Sequence, residues 1–168
     1  MSDPAPHPDP PPPRAARAPR FLCDAMLGRL ARWLRVLGYD THYDADISDV
    51  RALALCQRED RILITRDRQL AQRARGVQAL LLDSHYLDEQ LARVVAACKL
   101  DLSQPHLTRC LICNRRTRAV TREEVAPLVP PYVLATTKEF TRCPKCGRVY
   151  WPGTHRARIE VRLRRLSA

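Results

Sequence analysis

Four of the seven cysteines form two C-x-x-C pairs, a spacing that is typical of a metal site. Cys110 and Cys113 form the first pair, and Cys143 and Cys146 form the second. Four thiolates provide the tetrahedral sulfur set that suits Zn²⁺, and a zinc ion whose four ligands all come from the protein is structural. Two redox-active pairs are the alternative, but neither pair lies between a predicted strand and a predicted helix. The other cysteines lie in apolar patterns typical of buried small hydrophobic residues: Cys23, Cys56 and Cys98.

Three aspartates lie where predicted strands give way to predicted helices. Asp24 follows the apolar run over residues 21–23, and Asp67 follows the strand pattern over residues 61–65. Asp49 stands at the start of a predicted helix. Because the carboxyl ends of parallel strands meet at one edge of a sheet, we expect the three carboxylates to lie close together. Such a cluster suits Mg²⁺ or Mn²⁺, which can activate a water and stabilise the oxygens of an in-line phosphoryl displacement.

Other interpretations of these acids are open. Each of the three aspartates could instead cap a helix, because Asp is a favoured N-cap residue. Asp44 and Asp46 are alternative ligands to Asp49, and Asp83 follows a fourth predicted strand. An aspartyl-phosphate phosphatase is disfavoured, since Met26 stands where such enzymes commonly have the second acid of a D-x-D motif. The joint placement of the three aspartates at one predicted edge favours a metal site over separate caps.

The elements that position these residues alternate between strand and helix patterns. Apolar residues recur at three- and four-residue spacing from Leu27 to Leu37, and Gly38 is suited to end that helix. Further strand patterns cover residues 39–43, 61–65 and 77–82, and further helix patterns cover residues 50–56, 69–75 and 87–98. This alternation predicts an α/β domain over residues 21–102, with a parallel sheet flanked by helices.

The composition argues against a membrane-spanning protein and a disulfide-rich secreted scaffold. The chain has 168 residues, of which 45% are hydrophobic, and no apolar run approaches the roughly 20 residues that cross a bilayer. Residues 1–20 hold eight of the 14 prolines and are predicted to form a disordered tail, not a targeting signal. We therefore expect a cytoplasmic protein with reduced cysteines and no membrane partner.

The formal net charge of +11 is concentrated in the C-terminal part of the chain. Residues 21–98 carry eleven basic and eleven acidic side chains, whereas residues 99–168 carry fifteen basic and five acidic ones. Because a basic surface attracts polyanions, nucleic acid is the expected partner, with a merely solvated Arg-rich surface as the alternative. We expect a small zinc-stapled unit over residues 103–160, with strands in residues 133–140. Residues 161–168 are then a basic tail that either extends a strand or binds phosphate.

Three segments occur in a specific order: FLCDAMLGRLARWLRVLGYD (21–40), DRILITRDRQL (60–70), and RCLICN with FTRCPKCGRVYWPGTH (109–155). Together they resemble the Mut-seven C-terminal RNase family over residues 21–160. The resemblance implies a PIN-like nuclease domain joined to a zinc ribbon, and metal-dependent cleavage of RNA. It assigns Asp24 and Asp67 to the acidic site through matching motifs, and Asp49 through a looser match in SDVRALAL.

The function hypothesis is therefore an endoribonuclease whose carboxylates hold Mg²⁺ or Mn²⁺ and whose basic ribbon grips RNA. The side chains expected to contact RNA are Arg29, Arg32, Arg66, Trp151, His155 and Arg156. Arginines neutralise phosphate charge and aromatic rings stack on unpaired bases, although Trp151 could equally seal the core of the ribbon. The alternative is a non-catalytic RNA- or ribosome-binding zinc-ribbon protein whose aspartates only cap helices.

Overall fold

The computed structural model describes residues 18–153 and 155–167, without the side chains of residues 155–158 and 167. The tail predicted over residues 1–20 therefore lies almost entirely outside the described residues. The side chains of His155 and Arg156, which we expect to contact RNA, also lie outside them. Among the helices that the structure describes, none combines the length and apolar character needed to span a membrane.

Four parallel strands form the sheet of the N-terminal part, in the order β2-β1-β3-β4. The strands are β1 (Phe21–Cys23), β2 (Thr41–Tyr43), β3 (Ile62–Thr65) and β4 (Ala79–Leu81). The chain steps from β1 to β2 on one side, and then crosses back to place β3 on the other side of β1. In open α/β sheets, ligands bind beyond the carboxyl ends of the strands at such a reversal of strand order. The carboxyl ends of β1 and β3 therefore mark the first place to look for a site.

Helices cover both faces of this sheet. The helices α1 (Gly28–Val36) and α4 (Leu87–Cys98) lie on one face, and α2 (Asp49–Glu59) and α3 (Arg68–Arg73) lie on the other. Successive residues of a strand point to opposite faces, so Phe21 and Cys23 pack in the first core and Leu22 packs in the second. The predicted α/β fold, with a parallel sheet flanked by helices, is confirmed.

Several local expectations are confirmed as well. Gly38 follows the end of α1 with a φ of 89°, a conformation that glycine adopts without steric cost. Cys23 and Cys56 are fully buried, and burial raises the pKa of the Cys56 thiol to about 11. Cys98 is only half-buried. A short 3-10 helix, Ala25–Leu27, precedes α1 and connects it to β1.

The C-terminal unit is a three-stranded antiparallel sheet with two short helices. Its elements are β5 (Arg118–Val120), α5 (Arg122–Val125), α6 (Pro131–Thr136), β6 (Phe140–Arg142) and β7 (Val149–Tyr150), with strand order β5-β6-β7. The expectation of strands over residues 133–140 is wrong for most of that range, because α6 runs to residue 136. Pro131 occupies the first position of α6, where its fixed φ favours a helix and its missing N–H costs nothing.

A final helix, α7 (His155–Ser167), returns the chain to the α/β part. Its residues Leu163 and Leu166 pack against the core between α1 and α4. The guanidinium of Arg162 lies 4.3 Å from the centre of the Trp33 ring and 2.8 Å from the carboxylate of Asp88. The chain is therefore helical across the boundary expected after residue 160. The expectation that the basic tail extends a strand is wrong.

Candidate functional site

The two C-x-x-C pairs form matching backbone turns. In each turn the amide of the first cysteine donates to the carbonyl five residues later, at 2.8 Å for Cys110 and 2.9 Å for Cys143. The amide four residues later donates back to that cysteine, from Asn114 in the first turn and from Gly147 in the second. Their φ angles are 59° and 74°, a left-handed conformation that Gly and Asn tolerate best. Each pair is thus shaped locally, by its own turn.

The two turns bring four sulfur atoms within 4.8 Å of one another, from Cys110, Cys113, Cys143 and Cys146. Tyr150 braces this cluster, because its Oη accepts a hydrogen bond from Leu111 N at 3.1 Å and lies 3.1 Å from the Sγ of Cys110. Since the oxygen accepts from the amide, the phenol hydrogen is left to donate to sulfur. A compact four-sulfur set can hold Zn²⁺.

Neighbouring sulfurs in this cluster affect each other's acidity in opposite directions. Burial opposes ionisation of Cys110, but hydrogen bonds from Tyr150 and from backbone amides outweigh it and lower the pKa of Cys110 to about 6. The hydrogen bond with Cys146, burial and the charge of Cys110 raise the pKa of Cys113 to about 12. Four closely spaced thiolates need a cation to offset their repulsion, which is what a divalent metal ion supplies.

Asp24 and Asp67 lie on either side of Thr65, at the carboxyl ends of β1 and β3. The Asp24 side chain is buried, and its Oδ2 accepts hydrogen bonds from the Thr65 hydroxyl and, at 3.3 Å, from the amide of Arg66. The Thr65 oxygen accepts in turn from the amide of Asp67 at 2.9 Å. The sequence pattern did not single out Thr65; the available signal was a hydroxyl residue ending an otherwise apolar strand.

Both aspartates also cap helices. The Oδ1 of Asp24 accepts from the amide of Met26 at 3.1 Å and begins the 3-10 helix. The Oδ1 of Asp67 accepts from the amides of Gln69 at 2.7 Å and Leu70 at 3.1 Å. Asp67 is therefore the N-cap of α3. Among the described residues, no donor reaches the Oδ2 of Asp67. One oxygen of Asp67 is therefore available for a ligand while the other holds the helix.

Asp49 lies apart from these two carboxylates. Ser48 caps α2 by accepting from the amide of Arg51 at 3.4 Å, so Asp49 is the first helical residue and not the cap. Its carboxylate forms an ion pair with Arg73 of α3. Within the described ranges, Asp24, Asp49 and Asp67 do not form a group whose ligand atoms all lie within 4.8 Å.

Further carboxylates lie along the same edge of the sheet. Asp44 follows β2 just as Asp24 follows β1, and these two strands pair in parallel register. Asp83 lies two residues beyond β4, and its carboxylate is 3.6 Å from Arg68. Asp46 is exposed, and its amide donates to the carboxylate of Asp44 at 3.0 Å. The edge is rich in oxygen ligands, but they are not gathered around one point.

Arginines surround this edge. Arg29 and Arg32 are exposed on α1, the helix that follows Asp24. The Arg66 guanidinium lies against His85 of the β4–α4 loop, with its Nη2 at 2.5 and 2.8 Å from the two ring nitrogens. Positive charge is thus available next to Asp24, where an anionic substrate would need it.

An open groove of about 810 Å³ runs between α1 and the cysteine turns. We call it the ribbon groove; its principal walls are Arg32, Ile112, Leu128, Arg148, Tyr150 and Trp151. Trp151 also packs against Phe140, with ring centroids 6.5 Å apart. Of the side chains that the sequence predicts to contact RNA, the groove therefore brings Arg32 and Trp151 together, while Trp151 seals the small core as well.

The first cysteine turn is fastened to the α/β part by a buried arginine. The Nη1 of Arg35 donates to the carbonyls of Leu111 and Ile112, at 2.7 and 2.8 Å, and its Nε donates to the Thr41 carbonyl at 2.9 Å. Arg35 is only 5% exposed, whereas the two preceding arginines of α1, Arg29 and Arg32, are exposed. Its charge is therefore satisfied by carbonyls that the folded turn presents.

Asn114 makes the second fastening. Its side-chain oxygen accepts from the amide of Thr41 at 3.0 Å, on the edge strand β2, and its Nδ2 donates to Asp40 at 2.8 Å. Burial opposes ionisation of Asp40, but hydrogen bonds from Arg61 and Asn114 outweigh it and lower the pKa of Asp40 to about 2. Periodicity carried no signal for this network, because its members are far apart in sequence.

The protein thus combines a parallel α/β sheet, with aspartates at its strand-order reversal, and a four-cysteine unit that could hold a metal ion. The family model described as the Mut7-C RNAse domain matches residues 19–163, and the chain belongs to this family. Comparisons with curated proteins and with solved structures found no match. Membership in an RNase-domain family supports a nuclease or RNA-related function, with RNA as the substrate.

Proposed function

We propose that this protein is a metal-dependent endoribonuclease with a PIN-like active site at the carboxyl ends of β1 and β3. Its C-terminal unit is a zinc ribbon that grips RNA, and the unpaired cysteines suit a reducing, cytoplasmic compartment. The single observation that carries this proposal is the placement of Asp24 and Asp67 around Thr65, at the reversal of strand order.

The donor set suits Mg²⁺ or Mn²⁺. These ions prefer carboxylate oxygens, and Asp67 keeps one oxygen that no described donor occupies. Asp49 is the proposed third ligand, and we expect metal binding to replace its ion pair with Arg73. When bound, the metal supplies an activated water and stabilises charge on the phosphate.

The protein's own groups orient the substrate and the acids. Thr65 holds the Asp24 carboxylate in one orientation by donating to Oδ2, and the amide of Arg66 adds a second donor. The guanidinium of Arg66 and the exposed Arg29 can bind phosphate oxygens beside this edge. Tyr43 steadies the segment after Asp24, because its hydroxyl donates to the Ala25 carbonyl at 2.9 Å.

Asparagine substitutions separate a catalytic role from a capping role. Asn is as good an N-cap as Asp, so Asp24→Asn and Asp67→Asn keep both helix starts while removing the negative charge. In Mn²⁺, we expect each variant to cleave a labelled RNA at least about 100-fold more slowly, which corresponds to about 2.7 kcal/mol of activation free energy. A circular RNA, which has no ends, tests for internal cleavage.

Asp60→Asn is the matched control. Asp60 is exposed at the opposite end of β3 and has a φ of 51°, a conformation that Asn also favours. This variant should cleave RNA at the rate of the unsubstituted protein. Full activity in both Asp24→Asn and Asp67→Asn would show that the acidic site is wrongly placed.

A non-catalytic RNA-binding protein is the second candidate. The observation that favours it is that Asp24 and Asp67 both cap helices, while Asp49 already has an arginine partner. It predicts that the unsubstituted protein binds RNA but leaves circular and linear RNA intact in Mg²⁺ and in Mn²⁺.

A further inference from the structure

We infer that the ribbon groove is a binding site for unpaired bases of single-stranded RNA, leading directly to the acids at the β1–β3 edge. The inference rests on the proposed function for its substrate, but it adds a specific surface and a preference for unpaired RNA.

The groove combines exposed apolar and cationic side chains. Ile112 is 48% exposed and Leu128 is 50% exposed, so two large apolar side chains face solvent across one groove. Arg32 and Arg148 are both exposed and contribute positive charge, and no acidic side chain is among the described residues that line the groove. Apolar and aromatic surface flanked by arginines fits a ligand with flat faces and a phosphate backbone.

The cysteine cluster and the small core hold the aromatic wall of the groove in place. Tyr150 is fixed through its contacts with Leu111 and Cys110, and Trp151 is supported from behind by Phe140. Side chains that are already ordered lose little conformational entropy when a base stacks on them. The ribbon thus presents a prepared stacking surface and not merely a diffuse positive charge.

The groove is connected to the acidic edge through α1. Asp24 begins the 3-10 helix, α1 follows directly after it, and Arg29 and Arg32 are exposed three residues apart on α1. Residues at this spacing are neighbours on a helix surface. The rise from Asp24 to Arg32 is at most about 13 Å, or up to roughly four nucleotides at the stacked spacing of about 3.4 Å. One strand can therefore occupy the groove and reach Asp24.

Unpaired RNA is favoured over duplex RNA for a physical reason. Stacking on protein aromatics needs bases that are free of their own stack, and double-stranded RNA exposes mainly phosphates and sugars. An acidic protein segment would complement the arginines but would make little use of Ile112, Leu128 and the aromatic wall. The apolar and aromatic walls, together with the arginines, therefore favour single-stranded RNA as the ligand.

Binding is measured by fluorescence anisotropy with zinc-loaded full-length protein carrying Asp24→Asn, in the absence of Mg²⁺ and Mn²⁺. The probes are a labelled unstructured RNA and a hairpin of the same composition. Combined Arg32→Ala and Arg148→Ala should weaken binding of the unstructured RNA roughly tenfold or more. It should also reduce the slope of log affinity against log salt by about 1.4, at about 0.7 for each lost phosphate contact.

Arg75→Ala combined with Arg93→Ala is the matched control, because both arginines are exposed on the α/β part and neither lines the groove. It removes the same charge and should leave most of the affinity. A second pair tests the apolar wall: Ile112→Glu should weaken binding strongly, whereas Val161→Glu, at a similarly exposed position on α7, should not. Zinc content and thermal unfolding confirm that each variant is folded.

Tryptophan fluorescence gives an independent measure of stacking. The chain has two tryptophans, so Trp33→Phe leaves Trp151 as the single reporter. Unstructured RNA should quench its emission, and the hairpin stem should not.

Three results would overturn the inference. The first is that the groove variants and the control variants bind RNA equally well. The second is that the protein binds the hairpin and the unstructured RNA with equal affinity. The third is that the protein binds poly-glutamate and not RNA. Cleavage of RNA in Mn²⁺ is measured separately with Asp24 intact. If the protein cleaves RNA but its groove variants bind RNA normally, only the inference about the groove is refuted. If binding depends on the groove but no RNA is cleaved, only the proposed nuclease function is refuted.

Discussion

The cysteine cluster and the acidic edge are both candidate metal sites, but they are assembled in different ways. In the cluster, four sulfur atoms already lie within 4.8 Å of one another. At the edge, Asp24 and Asp67 meet around Thr65, while Asp49 is held by Arg73. The cluster has its four candidate ligand atoms together, whereas the described carboxylates at the edge form no such group.

The difference follows from how many ligands each local element supplies. A C-x-x-C turn places two sulfurs by itself, so only two pieces have to meet. Each carboxylate at the edge comes from a different strand or helix, and its position depends on the register of the whole sheet. We therefore expect the cysteine cluster to dominate stability and the acidic edge to dominate chemistry.

The largest expected effect is loss of the cysteine cluster. Cys110→Ser should remove tightly bound zinc and lower the free energy of unfolding by at least about 5 kcal/mol, since structural zinc contributes folding free energy directly. Thermal unfolding and zinc content measure this. Cys98→Ser, a half-buried cysteine outside the cluster, should cost only about 1 kcal/mol. If the two variants lose the same free energy of unfolding, the cysteine cluster does not stabilise the C-terminal unit in the way proposed.

A smaller effect is expected from the arginine that fastens the two parts. Arg35→Met leaves the carbonyls of Leu111, Ile112 and Thr41 without their donor, and should cost about 2–4 kcal/mol. Denaturant unfolding measures this cost. Arg32→Met on the exposed face of the same helix should change stability by about 0.5 kcal/mol or less. If Arg35→Met were as mild as its control, the fastening would contribute nothing to stability.

The smallest effect compares the equivalent positions of the two cysteine turns. Asn114→Gly keeps the left-handed backbone but loses the hydrogen bonds to Thr41 and Asp40, at an expected cost of about 1–2 kcal/mol. Gly147→Asn also keeps a tolerated φ, but its Cβ would lie 3.3 Å from the flexible guanidinium of Arg142, which has to shift slightly, so it should cost about 0.5–1 kcal/mol. Hydrogen exchange at the Thr41 amide should accelerate only in Asn114→Gly. If exchange of the Thr41 amide accelerates in both variants, its protection depends on the turn and not on the Asn114 side chain.

Much of the fold could be predicted because its signals are local. Apolar spacing in α1, the strand pattern of β3 and the spacing of the cysteines depend on residues close in sequence. The helix α6 was missed because Val133 and its neighbours suit either conformation, and Pro131 decides between them. The helical return of α7 was also missed, since its arginines obscure the apolar positions Leu163 and Leu166.

Only those site residues whose position depends on a single strand or helix could be predicted from the sequence. Asp24 and Asp67 could be singled out from the sequence because each directly follows or nearly follows a strand. Thr65, Arg35 and Asn114 escaped notice because their roles arise from contacts between distant segments. Nothing in the local pattern of Asp49 indicates that α3 would supply Arg73 as its partner.

The most direct test of the acidic site is an anomalous-diffraction measurement on crystals of the zinc-loaded protein soaked in Mn²⁺. A manganese peak bonded to carboxylate oxygens of both Asp24 and Asp67 is the predicted result, with Asp49 released from Arg73. The contradicting result is a map in which manganese is absent from these two residues or is held by Asp44 and Asp83 alone. In that case the carboxylates around Thr65 would serve only to begin their helices.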